Sequence, residues 1–174
     1  TDIFFDKKYI EDVKTKFYKL YPQLKEKNLI LFAPTYRGEK VSDFSYDYSQ
    51  LDFKKLYEYY HDEYVFAIKW HPMHYSNILS GKRRPPDFSE YGDFILDFST
   101  YRDINDLLIV CDLLITDYSS VIFDYVLLNK PIIYFVYDLE TYINKRGLYY
   151  DFGEYLYGDV AKNCDELIEK ISHC

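Results

Sequence analysis

The sequence predicts an α/β fold: a Rossmann-like parallel sheet with helices on both faces, in a single domain that spans residues 1–174. Two observations predict this fold. Five apolar runs have the length of strands, and segments with the apolar spacing of helices alternate with them. The runs are also continuous, as in strands buried on both faces of a parallel sheet. A chain of 174 residues with 48% hydrophobic residues suits one domain with its own core.

The predicted strands are short and end at residues that break strands or form turns. Pro34 closes the first strand, and His71 and Pro72 close the second. The strands are predicted at residues 28–33, 64–70, 94–98, 112–116 and 131–137.

The predicted helices lie before and between these strands. In the first helix, Val13 and Phe17 belong to an apolar stripe with helical spacing. Asp103 is a candidate N-cap for the third helix, and Pro131 follows the end of the fourth. Residues 80–90 contain Gly, two Pro and several charges, which predict a loop. The helices are predicted at residues 7–20, 51–60, 104–111, 119–128 and 165–172.

The predicted fold also indicates where a ligand would bind. Open parallel sheets bind ligands outside the carboxyl ends of their strands. The residues to consider are therefore those that directly follow each strand. They are residues 35–38, 71–74, 99–100, 117–120 and 137–138.

Among these positions, Ser119 and Ser120 give the sharpest signal. They follow a strand and open a predicted helix, whose N-terminal N–H groups and hydroxyls could hold a phosphate. Asp124 lies one helical turn further on, where its carboxylate could accept hydrogen bonds from a ribose diol. The alternatives are that Ser119 is only an N-cap and that Asp124 is a solvated helix residue.

His71 follows the second strand directly, and Pro72 stiffens the turn after it. An imidazole there could donate to a diphosphate oxygen or to a leaving group. His71 and His74 have the spacing of a metal pair, but no third ligand lies nearby in the sequence. We therefore expect no metal at this position.

Two basic groups complete the candidate site. Arg37 follows the first strand, next to Gly38, and its guanidinium could bind a phosphate with two N–H groups. Arg146 lies in a predicted basic turn after the fifth strand, from which it could reach the same edge of the sheet. Each signal is weak alone, since surface arginines are common, and their convergence on one edge is what favours an anion site.

The composition excludes some functions. The chain has 29 acidic and 21 basic side chains, a formal net charge of -8, which argues against a protein that coats nucleic acid. No apolar run approaches the length of a membrane span. Three cysteines form no CxxC pair, which favours a reduced, cytoplasmic setting. The 22 tyrosines are spread along the whole chain, which favours packing over a dedicated binding surface.

Several short motifs, taken in order, resemble the CDP-glycerol glycerophosphotransferase family, whose enzymes build teichoic-acid-like polymers. The resemblance extends over about residues 28–172. The motifs are ILFAPTYR at residues 30–37, KWHP at 69–72, DLLITDYSSVIFDY at 112–125, KPIIY at 130–134 and RGLYYD at 146–151.

The resemblance implies a GT-B fold, of which this chain would be the C-terminal, nucleotide-binding half. It implies that His71, Ser119 and Ser120 contact the diphosphate of CDP-glycerol. It also implies that the same pocket is lined by Thr35, Arg37 and Arg146, with Asp124 as a ribose ligand. Residues 150–158 lack the Pro-Gly that usually follows the acidic stretch in this family.

The resemblance further implies a reaction and its partners. A lipid-linked acceptor would attack CDP-glycerol or a related CDP-alcohol, and CMP would leave, with no metal or other cofactor. The catalytic base would lie in an N-terminal GT-B domain. The enzyme would act in the cytoplasm, at the inner face of the cell membrane.

Three other functions are alternatives to this one. The donor could be CDP-ribitol or a nucleotide sugar used in capsule or cell-wall synthesis. A signalling receiver domain would need an acidic pair after the first strand, where this chain has Pro34, Thr35, Tyr36 and Arg37. A non-catalytic module that binds carbohydrate polymers through tyrosines would bind no nucleotide.

Overall fold

The computed structural model of the chain describes residues 2–147, 152–154 and 156–174, without the side chain of Arg146. A six-stranded parallel sheet forms its centre, in the order β3-β2-β1-β4-β5-β6. The strands are β1 Asn28–Phe32, β2 Tyr64–Ile68, β3 Ile95–Asp97, β4 Leu113–Thr116, β5 Ile132–Phe135 and β6 Asp159–Ala161. The helices are α1 Lys7–Leu20, α2 Phe53–Tyr60, α3 Pro72–Leu79, α4 Ile104–Val110, α5 Ile122–Tyr125, α6 Leu139–Arg146 and α7 Cys164–Ile171.

Both faces of the sheet are buried, as β1 illustrates. Leu29 and Leu31 point into one hydrophobic cluster, and Ile30 and Phe32 point into the other. Successive side chains of a strand alternate between faces, so a strand covered on both sides must be apolar at every position. The continuous apolar runs therefore predict the covering helices correctly.

The helices divide between the two faces. On one face, buried residues of α1, α4 and α5 pack on the sheet, among them Phe17, Leu108 and Tyr125. On the other, Leu56 of α2 and Leu167 of α7 are fully buried. This arrangement confirms the predicted parallel sheet with helices on both faces.

The structure corrects several predicted boundaries. The helix predicted at 119–128 is shorter: α5 begins at Ile122, and a 3-10 turn, Val126–Leu128, follows it. The predicted loop at 80–90 ends in a 3-10 turn, Ser89–Tyr91. The basic turn predicted around Arg146 is the last turn of α6, closed by Gly147 with a φ of 69°.

Three elements are absent from the sequence prediction. The helix α3 begins at Pro72, directly after His71, and its short apolar stripe gave little signal. The helix α6 has a mixed composition, and β6 is a three-residue edge strand. Short elements such as these are stabilised by packing against the sheet rather than by their own propensity.

The strand order places the candidate site. The chain moves outward from β1 to β2 and β3, then returns to pair β4 with the other side of β1. The order thus reverses between β1 and β4, and ligands of such sheets bind at this switch point, beyond the carboxyl ends of the two strands.

None of the helices within residues 2–147, 152–154 and 156–174 combines the length and hydrophobicity that crossing a membrane requires.

The two-faced core gives a stability prediction. Leu56 is 0% exposed, whereas Leu20, at the end of α1, is 67% exposed. We expect Leu56→Ala to lower the free energy of unfolding by about 2–5 kcal/mol, because it leaves a cavity. Leu20→Ala, the matched control, should change it by less than about 0.5 kcal/mol. Urea denaturation measures both, and equal effects would contradict the assignment of Leu56 to the core.

Candidate functional site

Asp117 connects the loops that follow β1 and β4, at the switch point of the sheet. Its side chain is buried, and its carboxylate accepts hydrogen bonds from the Thr35 backbone N–H (2.9 Å) and from the Thr35 hydroxyl. It also accepts one from Arg37 Nη1 (2.9 Å) and one from the Tyr118 backbone N–H (2.7 Å). A buried carboxylate needs such donors, since burial without them is costly.

Arg37 extends the same network to the loop after β5. Its guanidinium binds Asp138 through two N–H groups, from Nε to Oδ2 at 2.6 Å and from Nη2 to Oδ1 at 2.9 Å. Its Nη1 donates to Asp117 and also to the Thr35 carbonyl, at 2.7 Å. One guanidinium therefore joins three loops, through the two-point geometry that suits arginine and carboxylate.

Four tyrosine rings surround the Arg37 guanidinium. Their centroids lie 5.0 to 5.6 Å from its central carbon, within the range of cation–π attraction. Tyr118 also donates its hydroxyl to Asp138 Oδ1 at 3.0 Å and stacks on Tyr142 at 3.9 Å. The four tyrosines are Tyr46, Tyr118, Tyr137 and Tyr142. We call Arg37, Asp117 and Asp138, together with Thr35 and Tyr118, the Arg37 network.

The electrostatics follow from burial. Burial raises the pKa of Asp117, and the nearby Arg37 guanidinium opposes that rise. Burial alone would lower the pKa of Arg37, but Asp117 and Asp138 raise it above its ordinary value, so Arg37 stays charged. Burial also raises the pKa of Tyr137 to about 12, so this hydroxyl keeps its proton.

His71 caps the start of α3, at the carboxyl end of β2. Its Nδ1 accepts a hydrogen bond from the Met73 backbone N–H at 3.2 Å. In the neutral ring the proton is then on Nε2, so Nε2–H is the hydrogen-bond donor of His71. The Tyr36 ring lies 4.6 Å from the His71 ring, so the loop after β1 contacts His71 on one side and Asp117 on the other.

Ser119 and Ser120 lie in the turn between β4 and α5. The Ser119 hydroxyl oxygen accepts a long hydrogen bond, 3.4 Å, from the Val121 backbone N–H, and Ser120 is exposed. Asp124 is half-buried on α5. The predicted phosphate and ribose contacts of these three residues stay predictions.

The structure brings some of the predicted residues into direct contact. Thr35 and Arg37 meet through Asp117, which is two residues before Ser119. His71 joins them through Tyr36. Arg146 is the last residue of α6, and its side chain lies outside the described part of the structure, as does the whole stretch 148–151.

Sequence reasoning missed the partners of Arg37. Asp117 and Asp138 follow β4 and β5, and Tyr118 and Tyr142 pack beside them. A signal existed, because the two acids follow strands that end at the same edge as the strand before Arg37. Because both acids are negative and Arg37 is positive, their charges could have suggested that they pair with Arg37.

A cavity of about 290 Å³ adjoins the Arg37 network. One wall is formed by Asp138 and by Thr141, Tyr142 and Lys145 of α6, which share one helical face. The other residues that line it are Arg37, Gly38, Glu39, Asp47 and Tyr137. The cavity offers aromatic rings together with charges of both signs.

His74 holds the long loop after β1 against α3. Its Nδ1 lies 3.3 Å from the Phe44 carbonyl, which can only accept, so Nδ1 carries the proton. Its Nε2 then accepts from the Tyr48 hydroxyl at 2.6 Å. Asn77 adds bonds to the carbonyls of Val41 (2.6 Å) and Phe44 (3.1 Å). Both nitrogens of His74 are thus used within the protein.

No group of three or more His, Cys, Asp or Glu residues in the described ranges could hold a metal ion. The prediction that the site needs no metal is not tested by this finding, and it stays a prediction.

The buried His74 gives a pH prediction. Burial lowers the pKa of His74 below its ordinary value of about 6.5. As the pH falls, the unfolded chain therefore becomes protonated at His74 before the folded chain does. The contribution of His74 to the free energy of unfolding is fully present above about pH 6.5 and is lost as the pH drops below it. The slope is at most about 1.4 kcal/mol per pH unit for one proton.

Urea denaturation between about pH 7 and 5 tests this prediction. We expect His74→Gln to flatten the profile in this window, whereas His173→Gln, at an exposed position, should leave it unchanged. If the free energy of unfolding of His74→Gln depended on pH as that of the unchanged chain does, the lowered pKa of His74 in the folded state would be refuted.

Comparison with known proteins gives the family. Residues 1–174 match the family described as CDP-Glycerol:Poly(glycerophosphate) glycerophosphotransferase. The chain is 47% identical over 171 residues to a teichoic acid poly(ribitol-phosphate) polymerase of Bacillus spizizenii, covering 98% of this chain and 26% of that protein. It is 38% identical over 151 residues to a teichoic acid poly(glycerol phosphate) polymerase of Bacillus subtilis, covering 84% of this chain and 19% of that protein.

Among solved structures, the chain is similar to a variant of the wall teichoic acid polymerase TagF soaked with CDPG. The TM-score is 0.78 at 28% identity, and the match covers 98% of this chain and 40% of that one. The chain thus spans less than half the length of each of these relatives. The match supports the Rossmann-like half of a GT-B fold that the motifs implied. Family match, relatives and fold agree, and the chain belongs to the CDP-glycerol:poly(glycerophosphate) glycerophosphotransferase family.

Proposed function

We propose that this chain is the nucleotide-binding domain of a transferase that moves a polyol phosphate from a CDP-alcohol, CDP-glycerol in the first instance, to a teichoic-acid or capsule-like acceptor. One observation carries the proposal. In a chain of this family, the loops after β1, β2 and β4 meet at the switch point of the sheet, where such folds bind nucleotides. The similar TagF structure, soaked with CDPG, adds support.

The reaction is a phosphoryl-type transfer. An acceptor hydroxyl attacks the phosphorus on the polyol side of the diphosphate, a new P–O bond forms, and the bond to CMP breaks. The hydroxyl proton passes to a base, and the negative charge moves onto the phosphate of CMP. Positioning and electrostatic stabilisation supply most of the rate enhancement in transfers of this kind.

Three groups of this chain suit the leaving diphosphate. The Nε2–H side of His71 is an N–H donor held by its Nδ1 bond to Met73. The other two groups are the hydroxyls of Ser119 and Ser120, which lie just beyond β4 and the buried Asp117. With these neutral donors and the nearby turn N–H groups, the proposed mechanism needs no metal ion.

The proposal places the remaining chemistry in a second domain. The chain covers 40% of the TagF chain, and following the resemblance of its motifs we assign it to the C-terminal half of a GT-B transferase. The catalytic base would then lie in the N-terminal half. A lipid-linked acceptor would hold the enzyme at the inner face of the cell membrane.

A second donor has a specific observation in its favour. The identity is 47% to the poly(ribitol-phosphate) polymerase and 38% to the poly(glycerol phosphate) polymerase of Bacillus subtilis. The 47% relative makes CDP-ribitol the second candidate donor, beside CDP-glycerol.

Loss of a diphosphate contact should weaken CDP binding. We expect His71→Ala and Ser120→Ala each to weaken CDP binding to this chain by about 1–3 kcal/mol, because each removes a hydrogen bond to a charged group. Isothermal titration calorimetry measures the change.

Matched controls are available at exposed positions. His173→Ala and Ser76→Ala lie outside the candidate site and should bind CDP as the unchanged chain does. Unchanged affinity in both His71→Ala and Ser120→Ala would refute the assignment of the diphosphate site.

The donor alcohol can be decided by turnover. We expect the protein that carries this chain to release CMP faster from CDP-glycerol than from CDP-ribitol, as measured by kcat/KM with a polymer acceptor. A preference for CDP-ribitol would assign ribitol phosphate instead, and turnover of a UDP or GDP sugar alone would contradict the proposed reaction.

A further inference from the structure

We infer that Arg37 is a positioning residue: with Asp117 and Asp138 it holds the loop that carries Ser119 and Ser120, and it does not itself bind the phosphates. The inference rests on the proposed function and reverses the role that the sequence suggested for Arg37.

The hydrogen bonds of Arg37 are nearly all committed. A guanidinium has five N–H groups. Nε and Nη2 each donate to Asp138, and Nη1 donates to Asp117 and to the Thr35 carbonyl. Within the described residues, only one N–H group of Arg37 is left without a partner, so Arg37 cannot donate two hydrogen bonds to a phosphate.

Recruiting Arg37 to a ligand would also break favourable contacts. The guanidinium would have to leave two carboxylates and four tyrosine rings. Asp117, with a side chain 1% exposed, would lose its charge partner. Removing one member of a buried ion pair is strongly unfavourable, because the other charge stays buried.

The network reaches the proposed phosphate loop directly. Asp117 accepts the backbone N–H of Tyr118, and Tyr118 donates its hydroxyl to Asp138. Ser119 and Ser120 are the next two residues. Arg37, by fixing both carboxylates, therefore fixes the two residues that precede the serines.

This role gives a signature that a merely structural role would lack. Disturbing the loop should weaken the contacts to the diphosphate and spare the contacts to the nucleoside. The ratio of the dissociation constants for cytidine and CDP should therefore fall, whereas general destabilisation would lower the melting temperature without changing this ratio.

Asp138→Asn separates the two possible roles of Arg37. If Arg37 bound phosphate, neutralising its competitor would free the guanidinium and tighten CDP binding. If Arg37 positions the loop, the same change loosens the network and weakens CDP binding.

The experiment is a titration of CDP and of cytidine into the chain with Arg37→Gln, with Asp138→Asn and with both. We expect each single change to weaken CDP binding about fivefold or more, with cytidine binding within about twofold. The double variant should bind CDP no more weakly than the weaker-binding single variant, because both changes disrupt the same Arg37 network. Tighter CDP binding by Asp138→Asn, or effects that add, would overturn the inference.

Two further variants keep the test decisive. Tyr118→Phe removes only the hydroxyl bond to Asp138, and it should lower the cytidine-to-CDP ratio even if Arg37→Gln fails to fold. The exposed pair Lys55 and Asp165 is the control, and Lys55→Gln with Asp165→Asn should change neither ligand's affinity. An unchanged ratio in Tyr118→Phe would count against the positioning role.

The outcome also separates this inference from the proposed function. If the unchanged chain binds no CDP, the proposed function fails and the inference falls with it. If the unchanged chain binds CDP and Asp138→Asn binds it more tightly, only the positioning role is overturned.

Discussion

The candidate site depends on one ion-pair arrangement, in which Arg37 bridges Asp117 and Asp138 at the carboxyl ends of β1, β4 and β5. Each of these loops leaves the sheet at its C-terminal edge, and the side chain of Arg37 joins all three there. A guanidinium that binds one carboxylate at two points and a second carboxylate at one point supplies that constraint. The buried side chain of Asp117, in turn, requires the donors that Thr35 and Arg37 provide.

The tyrosine-rich composition has a structural counterpart in this region. Tyr46, Tyr118, Tyr137 and Tyr142 enclose the guanidinium, and their rings also pack against the neighbouring loops. Such rings exclude water and attract the cation, so they strengthen the ion pairs that they surround. The tyrosines near the site therefore contribute to the electrostatics as well as to packing. The packing role that the even distribution of tyrosines predicts holds for others, such as Tyr60 and Tyr125 in the two cores.

The loops around the site are held at different strengths. The loop after β1 is fixed at both ends, by Asp117 at Thr35 and by His74 and Asn77 further on. The turn that carries Ser119 and Ser120 has backbone bonds to Ile122 and Phe123, and the neighbouring Arg37 network orders its start. This frame presents the half-buried Ser119 and the exposed Ser120 beyond the end of β4.

The sequence by itself determined the sheet and the family, and it indicated the edge at which the candidate site lies. Continuous apolar runs of strand length, alternating with helical segments, predict strands covered on both faces, and the stripe of α1 and the cap at Asp103 are local patterns. The tertiary structure decided which groups Arg37 contacts. Its partners Asp117 and Asp138 are 80 and 101 residues away in the chain, so no local pattern could pair them. An arginine after a strand resembles a phosphate ligand in the sequence, whereas in the fold four of its five N–H groups are bound within the protein.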